Sequence, residues 1–262
     1  MKISVIIAYY QNLTALNLIL DALQMQSLKN FEVIVAEDDN NDKTVQFIEN
    51  KSKKYFFPIA HLHQTKDDGF RKNEMLNKAI KASNGEVCVF LDGDTIPHKH
   101  LIKTYSNSIK QGVALFGRRV MLSESFSNNI IDSKNLSSLS LSKLLFSSSK
   151  RIKYSFYIPF IKSFRETGIW GCNWGILKEH LFEVNGFDED YVRAGVGEDV
   201  DVEWRLKQNG IKLQSIRFGA IVYHLHHDVN YSNDDVKYNL KLFNEKKELK
   251  NIYCKNGINK SN

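Results

Sequence analysis

The chain has 262 residues, of which 42% are hydrophobic, 25% charged and 11% aromatic, values that exclude a disordered or collagen-like chain and suit one large domain or one domain with an elaboration. The formal net charge is +6, but it is unevenly placed: Ser133 to Arg165 carries seven Lys or Arg and no acid (+7), Val236 to Asn262 carries +5, and the remainder is left with −6. The sequence therefore reads as an acidic body with two basic attachments.

No run approaches the roughly 18 apolar residues of a membrane span. The apolar run of MKISVIIAYYQN is too short, and lacks a small-residue cleavage site, for a signal peptide. Cys88, Cys172 and Cys254 are widely spaced and odd in number, which makes neither a disulfide framework nor a zinc pattern and predicts a reducing cytoplasm.

Ile3 to Ala8 is a continuous apolar run, the mark of a strand buried on both faces. Leu13 to Met25 has helical spacing. Phe31 to Ala36 predicts a second buried strand, Thr44 to Lys53 a short helix and Ile59 to Leu62 a third strand. A helix over Asn73 to Ser83 stops at Asn84-Gly85, and Glu86 to Leu91 is a fourth buried strand. His98 to Gln111 predicts a helix, Val113 to Val120 a strand, Ile169 to Leu177 a strand, Lys178 to Val184 a short helix, Asp199 to Asn209 a helix and Ile216 to His224 a last strand. Alternation of buried strands and amphipathic helices predicts an α/β fold with a mostly parallel, Rossmann-like sheet flanked by helices. Ligands of such sheets bind beyond the carboxyl ends of the strands. Three strands here end in polar groups, at Tyr9-Tyr10, Glu37-Asp38-Asp39 and Asp92-Gly93-Asp94.

Four constellations carry possible chemistry. Asp92-Gly93-Asp94 places two carboxylates at a strand end, where they can face a hard cation or simply form a turn. Glu198, Asp199, Asp201 and Glu203 open a helix, where acids suit the dipole and where one can act as a general base. Tyr223-His224-Leu225-His226-His227 is either a surface cluster or a source of imidazole ligands, with His224 and His226 on one side if the strand continues. Gly69-Phe70-Arg71-Lys72-Asn73 precedes a helix and suits a phosphate or a solvated loop. Trp170 and Trp174 are either core residues or platforms for a pyranose ring.

In this order the motifs resemble an inverting family 2 glycosyltransferase of the GT-A fold, in its galactosyltransferase-like and chondroitin-polymerase-like branch. The likeness covers roughly residues 1–230 outside Ser133–Arg165. VIIAYYQN resembles the strand and loop that cup the nucleotide base, which implies donor contacts for Ala8 and Tyr10; EDDNNDKT implies that Asp38 meets uracil. LDGDTIP resembles the DxD motif, with Asp94 as metal ligand, Asp92 toward the donor ribose or the metal, and Gly93 toward the donor. GFRKNEMLNKAI resembles the family's Gly-x-x-x-x-Arg-Asn helix opening and implies a donor role for Arg71. WGCNWGILKEHLFEVNGFDED and AGVGEDVDVEWRLKQNG are similar to the acceptor loop and the Glu-Asp motif. They imply Asp199 as base, Glu198 beside it on the donor or acceptor sugar, and Trp170, Asn173 and Trp174 toward the acceptor. His224 would be the second metal ligand, with His226 as the alternative.

The resemblance implies Mn²⁺ or Mg²⁺, a UDP-sugar donor, and a glycan or lipid-linked oligosaccharide acceptor in surface polysaccharide synthesis. It divides the chain into a catalytic domain over residues 1–230, a basic Ser-rich insertion at 133–165 within it, and a basic helical tail over 231–262. The insertion suits a membrane surface, an acceptor flap or a solvated loop, which predicts a cytoplasmic protein able to meet the inner face of the membrane. The rival from another class is a nucleic-acid- or membrane-binding module using the basic segments; the acidic body and the lack of a helix-turn-helix, zinc or RNA-binding aromatic motif oppose nucleic acid. A nucleotidyltransferase would want a Gly-rich loop after the first strand, and AYYQNLT has no glycine. An inactive scaffold would not need Asp38, Asp94, Asp199 and His224 together.

Overall fold

A computed structural model describes residues 1–161, 168–229 and 231–260. The N-terminal half runs β1 (Ile3–Tyr9), α1 (Leu13–Gln24), β2 (Phe31–Glu37), α2 (Asp42–Ser52), β3 (Ile59–His63), α3 (Lys72–Ala82) and β4 (Val87–Asp92). It continues with β5 (Thr95–Pro97), α4 (Leu101–Ser108), β6 (Val113–Phe116), β7 (Arg118–Met121), α5 (Glu124–Ser133) and α6 (Leu141–Leu145). The remainder is β8 (Asn173–Leu177), α7 (Lys178–Glu183), α8 (Glu198–Gln208), β9 (Lys212–Ser215), β10 (Ile221–His224) and α9 (Asn233–Glu248).

Seven strands form one sheet in the order β3-β2-β1-β4-β8-β6-β9, and β5-β10-β7 form a second, smaller one. The first four strands of the large sheet are parallel, β8 runs antiparallel to both neighbours, and β9 is parallel to β6. This is the expected mostly parallel sheet between helices. Odd residues of β1 (Ile3, Val5, Ile7) face a core shared with α1 and α4, while Ile6 faces a core shared with α3, α7 and α8. Each such aliphatic side chain contributes about 1.5–3 kcal/mol by leaving water, which explains why these strands read as unbroken apolar runs.

The structure departs from the sequence reading at four places. The strand predicted over Val113 to Val120 is cut at Gly117, where a Cβ would collide with the Asn173 side chain and the Ala220 carbonyl. The chain turns there, so β6 joins the large sheet and β7 the small one. Residues 216–220 form a turn before β10, and β9, too polar to read as a buried strand, pairs with β6 at the sheet edge. The stretch Ile169 to Leu177 is a strand only from Asn173.

Within the basic stretch from Ser133, Leu144 is buried and Leu136, Leu139, Ile152 and Tyr154 pack on the core. Its last residues, Lys162 to Arg165, lie outside the described residues. The C-terminal segment also rests on the body. Asn239 donates to the Arg193 carbonyl (2.9 Å), Lys246 pairs with Asp188 (2.6 Å), and Asn185 donates to the Cys254 and Asn259 carbonyls (2.7 and 2.8 Å). Most lysines of this segment remain exposed, whereas Lys246 and Lys260 meet acids of the 188–190 turn.

Beneath that turn, Arg205 of α8 is fully buried; its Nε donates to Asp201 (2.8 Å) and its Nη1 to the Val184 and Gly186 carbonyls (2.7 and 2.8 Å). Arg205→Ala leaves Asp201 as an uncompensated buried charge. It is expected to cost about 3–5 kcal/mol, read as a lower midpoint in urea unfolding; an unchanged midpoint would show that the pair is not integral to the fold.

Candidate active site

The parallel register sets the ends of three strands abreast. Ala8 of β1 lies opposite Ala36 of β2 and Asp92 of β4, so the residues just beyond share one edge. Asp38, buried there, accepts from Gln64 Nε2 (2.7 Å) and the Arg71 backbone N–H (2.8 Å) on the same oxygen, Oδ1. Burial raises its pKa, with these hydrogen bonds opposing. The Arg71 side chain turns to Asp68 (2.7 Å) and the Phe70 carbonyl, so Arg71 contributes to the crevice through its backbone. Tyr10 is exposed at the rim and Ala8 half-buried. Gly93 donates its N–H to the Ala8 carbonyl (2.7 Å), and a Cβ on it would stand 3.2 Å from the Tyr9 Cα, so glycine allows β4 to end hard against β1.

Lys72, at the start of α3, was not singled out by the sequence reading. Its ammonium stands 3.1 Å from Asp92 and 3.7 Å from Glu198, and Asp199 is close enough to add to its charge stabilisation. Burial would lower the Lys72 pKa, but Asp92, Glu198 and Asp199 raise it well above the usual lysine value. Glu198 is itself pushed up to about 7, first by burial, against the pull of Lys72. Burial likewise raises Asp199.

Local backbone aims these acids. Gly197 adopts φ +143°, and its missing Cβ leaves room for Tyr191 and for Asn239 of α9. One turn apart on α8, Asp199 accepts the Gly171 N–H (3.1 Å) and Glu203 accepts the Ile169 N–H (2.5 Å). The four acids thus divide: Glu198 and Asp199 face the crevice, Asp201 serves Arg205, and Glu203 anchors the segment before β8.

The small sheet builds a second cluster. β10 pairs antiparallel with β5, His224 opposite Thr95, which brings His224 beside Asp94 (3.4 Å). His227 lies 2.9 Å from the same Asp94 oxygen, and the ligand atoms of Asp94, His224 and His227 all fall within 4.8 Å of one another. His226 is not part of this group: β10 ends at His224, the alternation stops, and His226 is exposed with its N–H on Ser127 Oγ (2.9 Å). His227 takes the position that period-two counting assigned to His226. Asp94 Oδ1 and His224 Nδ1 are buried without a hydrogen-bond partner among the described residues. Burial lowers the His224 pKa, which keeps a lone pair available. Burial works to raise Asp94, yet the His227 hydrogen bond and the charges of His224, His227 and Arg119 bring it below the ordinary value. One carboxylate and two imidazoles with unsatisfied buried atoms fit a divalent cation such as Mn²⁺.

Of the three residues expected toward an acceptor, only Trp170 is partly open. Trp174 has no exposed surface and stacks on Phe90 with centroids 4.5 Å apart, so it is a core residue beneath the crevice. Asn173 is buried; it accepts from Tyr105 Oη (2.8 Å) and donates to the Arg118 and Ala220 carbonyls (3.1 and 3.0 Å). It ties the two sheets together and does not face the crevice.

A Rossmann-like sheet ending in clustered carboxylates, with an acid pair and a metal-competent triad near those ends, defines the class of α/β folds whose ligands bind beyond the carboxyl edge of the sheet. The family model "Glycosyl transferase family 2" matches residues 4–183, and the chain belongs to that family. The model "N-terminal domain of galactosyltransferase" matches residues 156–228. The chain is 30% identical over 114 residues to a dolichol-phosphate mannosyltransferase of Pyrococcus furiosus, a match covering 43% of this chain and 31% of that protein. It is 31% identical over 105 residues to the poly(ribitol-phosphate) beta-N-acetylglucosaminyltransferase TarS of Staphylococcus aureus, covering 39% of this chain and 18% of TarS. These matches span about a third or less of each relative. The fold is similar to TarS 1-349 in complex with UDP-GlcNAc (TM-score 0.56, 17% identity, 93% of this chain and 65% of that one). It is also similar to the mannosyltransferase PcManGT of Pyrobaculum calidifontis in complex with GDP-Man and Mn2+ (TM-score 0.63, 15% identity, 95% and 64%).

The hydrogen bond to Asp94 raises the His227 pKa to about 9. A cation bound by the triad must displace that proton. Mn²⁺ binding near pH 7.5 is therefore expected to release about one proton and to weaken about tenfold per unit of falling pH below about 9. Calorimetry in buffers of different ionisation enthalpy measures this; binding without proton release would place the cation elsewhere.

Proposed function

We propose that the chain transfers a hexosyl or N-acetylhexosaminyl group, with inversion, from a UDP-sugar to a hydroxyl of a glycan or lipid-linked oligosaccharide in surface polysaccharide synthesis. The observation that carries this reading is the gathering of Asp92, Glu198 and Asp199 around Lys72 at the strand ends, with Asp94 of the His224 and His227 cluster two residues beyond Asp92. Inversion in one displacement needs a base on one side of the sugar and a stabilised leaving group on the other.

Asp199, oriented by the Gly171 N–H, is the group to take the proton of the attacking hydroxyl. Burial raises its pKa, the direction that suits a general base, and the charge of Lys72 opposes that rise. Glu198, one oxygen of which has no hydrogen-bond partner, is placed to accept from a sugar hydroxyl. Asp38, its Oδ1 occupied, offers Oδ2 to an N–H of the base. Asp92, Gly93, Ala8 and Tyr10 border the donor's path between them. Asp94, His224 and His227 would hold a divalent cation, which would supply Lewis-acid neutralisation for a departing diphosphate. TarS binding UDP-GlcNAc supports UDP, and a GDP-Man complex of the Pyrobaculum enzyme makes GDP the alternative to test.

The catalytic unit in this reading is residues 1–230, with 133–165 as a basic insertion and 231–262 as a basic appendage braced on it. Phe146 (94% exposed) and Phe160 (85% exposed) stand on the insertion among its lysines, which supports peripheral contact with an anionic membrane face on the cytoplasmic side. No described helix is long and apolar enough to cross a membrane.

A panel of UDP- and GDP-sugars with Mn²⁺ tests the donor assignment through hydrolysis and thermal shift. The true donor at 100 times its Kd is expected to stabilise the protein by about 2.7 kcal/mol, and no response to any nucleotide-sugar would overturn the reading. Asp199→Asn is expected to lower transfer by about 10²–10⁴-fold with UDP binding retained, whereas Asp94→Ala weakens Mn²⁺ and donor together. Near-full transfer by Asp199→Asn would remove it as the base.

A further inference from the structure

Beside the crevice, Trp170 is ringed by guanidinium groups. Its ring centroid lies 4.5 Å from Arg118, 5.4 Å from Arg119 and 4.8 Å from Arg151. Any two of these cations are thus within about 10 Å, close to the screening length of physiological salt. Arg118 and Arg119 come from β7; Arg151 comes from the basic stretch and is fixed by the backbone bridge of Lys150 with Met121 (2.7 and 3.0 Å). Arg118 is buried and donates to the Gly117 and Gly168 carbonyls (2.8 and 3.2 Å). Arg119 Nη1 makes a weak contact with Cys172 Sγ (3.8 Å), and its buried Nε has no acceptor among the described residues. Among those residues no carboxylate forms an ion pair with Arg119 or Arg151; Asp94, the acid that feels Arg119, is already engaged by His224 and His227.

Among the described residues, then, Arg119 and Arg151 gather at the indole without an ion-paired carboxylate, and like charges this close favour an anion. The sheet order says which one. A donor whose base lies at β2 and whose diphosphate lies at β4 runs over one half of the edge. Trp170 leads into β8 and Arg118 follows β6, the next two strands on the other side of β4. Gly171, adjacent to Trp170, is the residue that holds Asp199.

We infer that Trp170, Arg119 and Arg151 form a subsite for an anionic group, phosphate or carboxylate, carried by the acceptor, with Arg118, whose donors are engaged beneath the indole, adding only its charge. The inference rests on the glycosyltransferase reading of the neighbouring acids. Guanidinium forks suit the oxygens of both groups, and the indole holds the forks in place by cation–π contact. The donor diphosphate offers the same chemistry from the other side, and occupancy by UDP separates the two sources.

With the chain saturated in UDP and Mn²⁺, binding of sn-glycerol 3-phosphate, methyl glucuronide and the neutral methyl glucoside is followed by calorimetry and indole fluorescence. At least one charged probe is expected to bind at least about tenfold more tightly than the glucoside, and Arg151→Gln to remove about tenfold or more of that preference. Arg119→Gln serves in its place if Arg151→Gln lowers the Tm. Equal binding of charged and neutral probes overturns the inference. So does anion binding that UDP abolishes, which assigns the cage to the donor, or a preference that survives substitution in a folded variant. UDP-sugar hydrolysis by the unaltered chain reports on the glycosyltransferase reading separately: hydrolysis without anion preference removes only the subsite.

Discussion

The buried ammonium of Lys72 is the interaction on which the crevice depends. Three carboxylates, Asp92, Glu198 and Asp199, converge from two distant parts of the chain, and such a group is tolerable away from water only with a compensating charge. Lys72 supplies it from the first turn of α3. Its own helix is fastened to the loop before α8, because Asn73 donates to the Asp188 carbonyl (2.7 Å) and Asn77 to that of Phe187 (2.8 Å). The cation and the acids it neutralises are therefore set by one rigid frame.

Two sheets divide the remaining work. The large parallel sheet brings Ala8, Asp38 and Asp92 to a common edge through register alone. The small sheet draws the segment after β10 back onto Asp94 and so joins His224 and His227 to it. Asn173 and Gly117 lie at the seam, the first by hydrogen bonds to both sides and the second by leaving space for them. The metal-competent cluster thereby starts two residues beyond Asp92, the acid that meets Lys72.

Much of this was legible in the sequence wherever physics is local. Strands buried on both faces appear as runs such as VIIA and EVCVFL, and Asp38, Asp94, Asp199 and His224 fall where the strand ends and helix starts predicted. Lys72 was not legible: in Arg71-Lys72, which cation turns inward depends on the helix phase and on acids more than 100 residues away, at 198 and 199. His227 was hidden because two-residue alternation holds only while a strand lasts, and β10 ends at His224. Trp170 and Trp174 look equivalent in WGCNW, yet only Trp174 lies within a strand, where its pairing opposite Phe90 commits it to the core. The arginine cage was hidden for the same reason as Lys72, since Arg151 meets Trp170 only through the bridge between Lys150 and Met121.

The brace formed by α9 and the residues after it has a consequence for the order in which the molecule is built. Asn239 reaches back 46 positions to Arg193, Lys246 reaches 56 to Asp190, and Asn185 waits 69 positions for Cys254. A chain emerging from the ribosome can fold its strand–helix–strand units from short-range contacts well before these partners exist. The loop before α8 would then lack its contacts with Asn239 and Lys246, while Asn73 and Asn77 already hold it to α3. Folding of the N-terminal strand–helix–strand units and bracing of the loop before α8 are thus separable in time, and the C-terminal contacts form last.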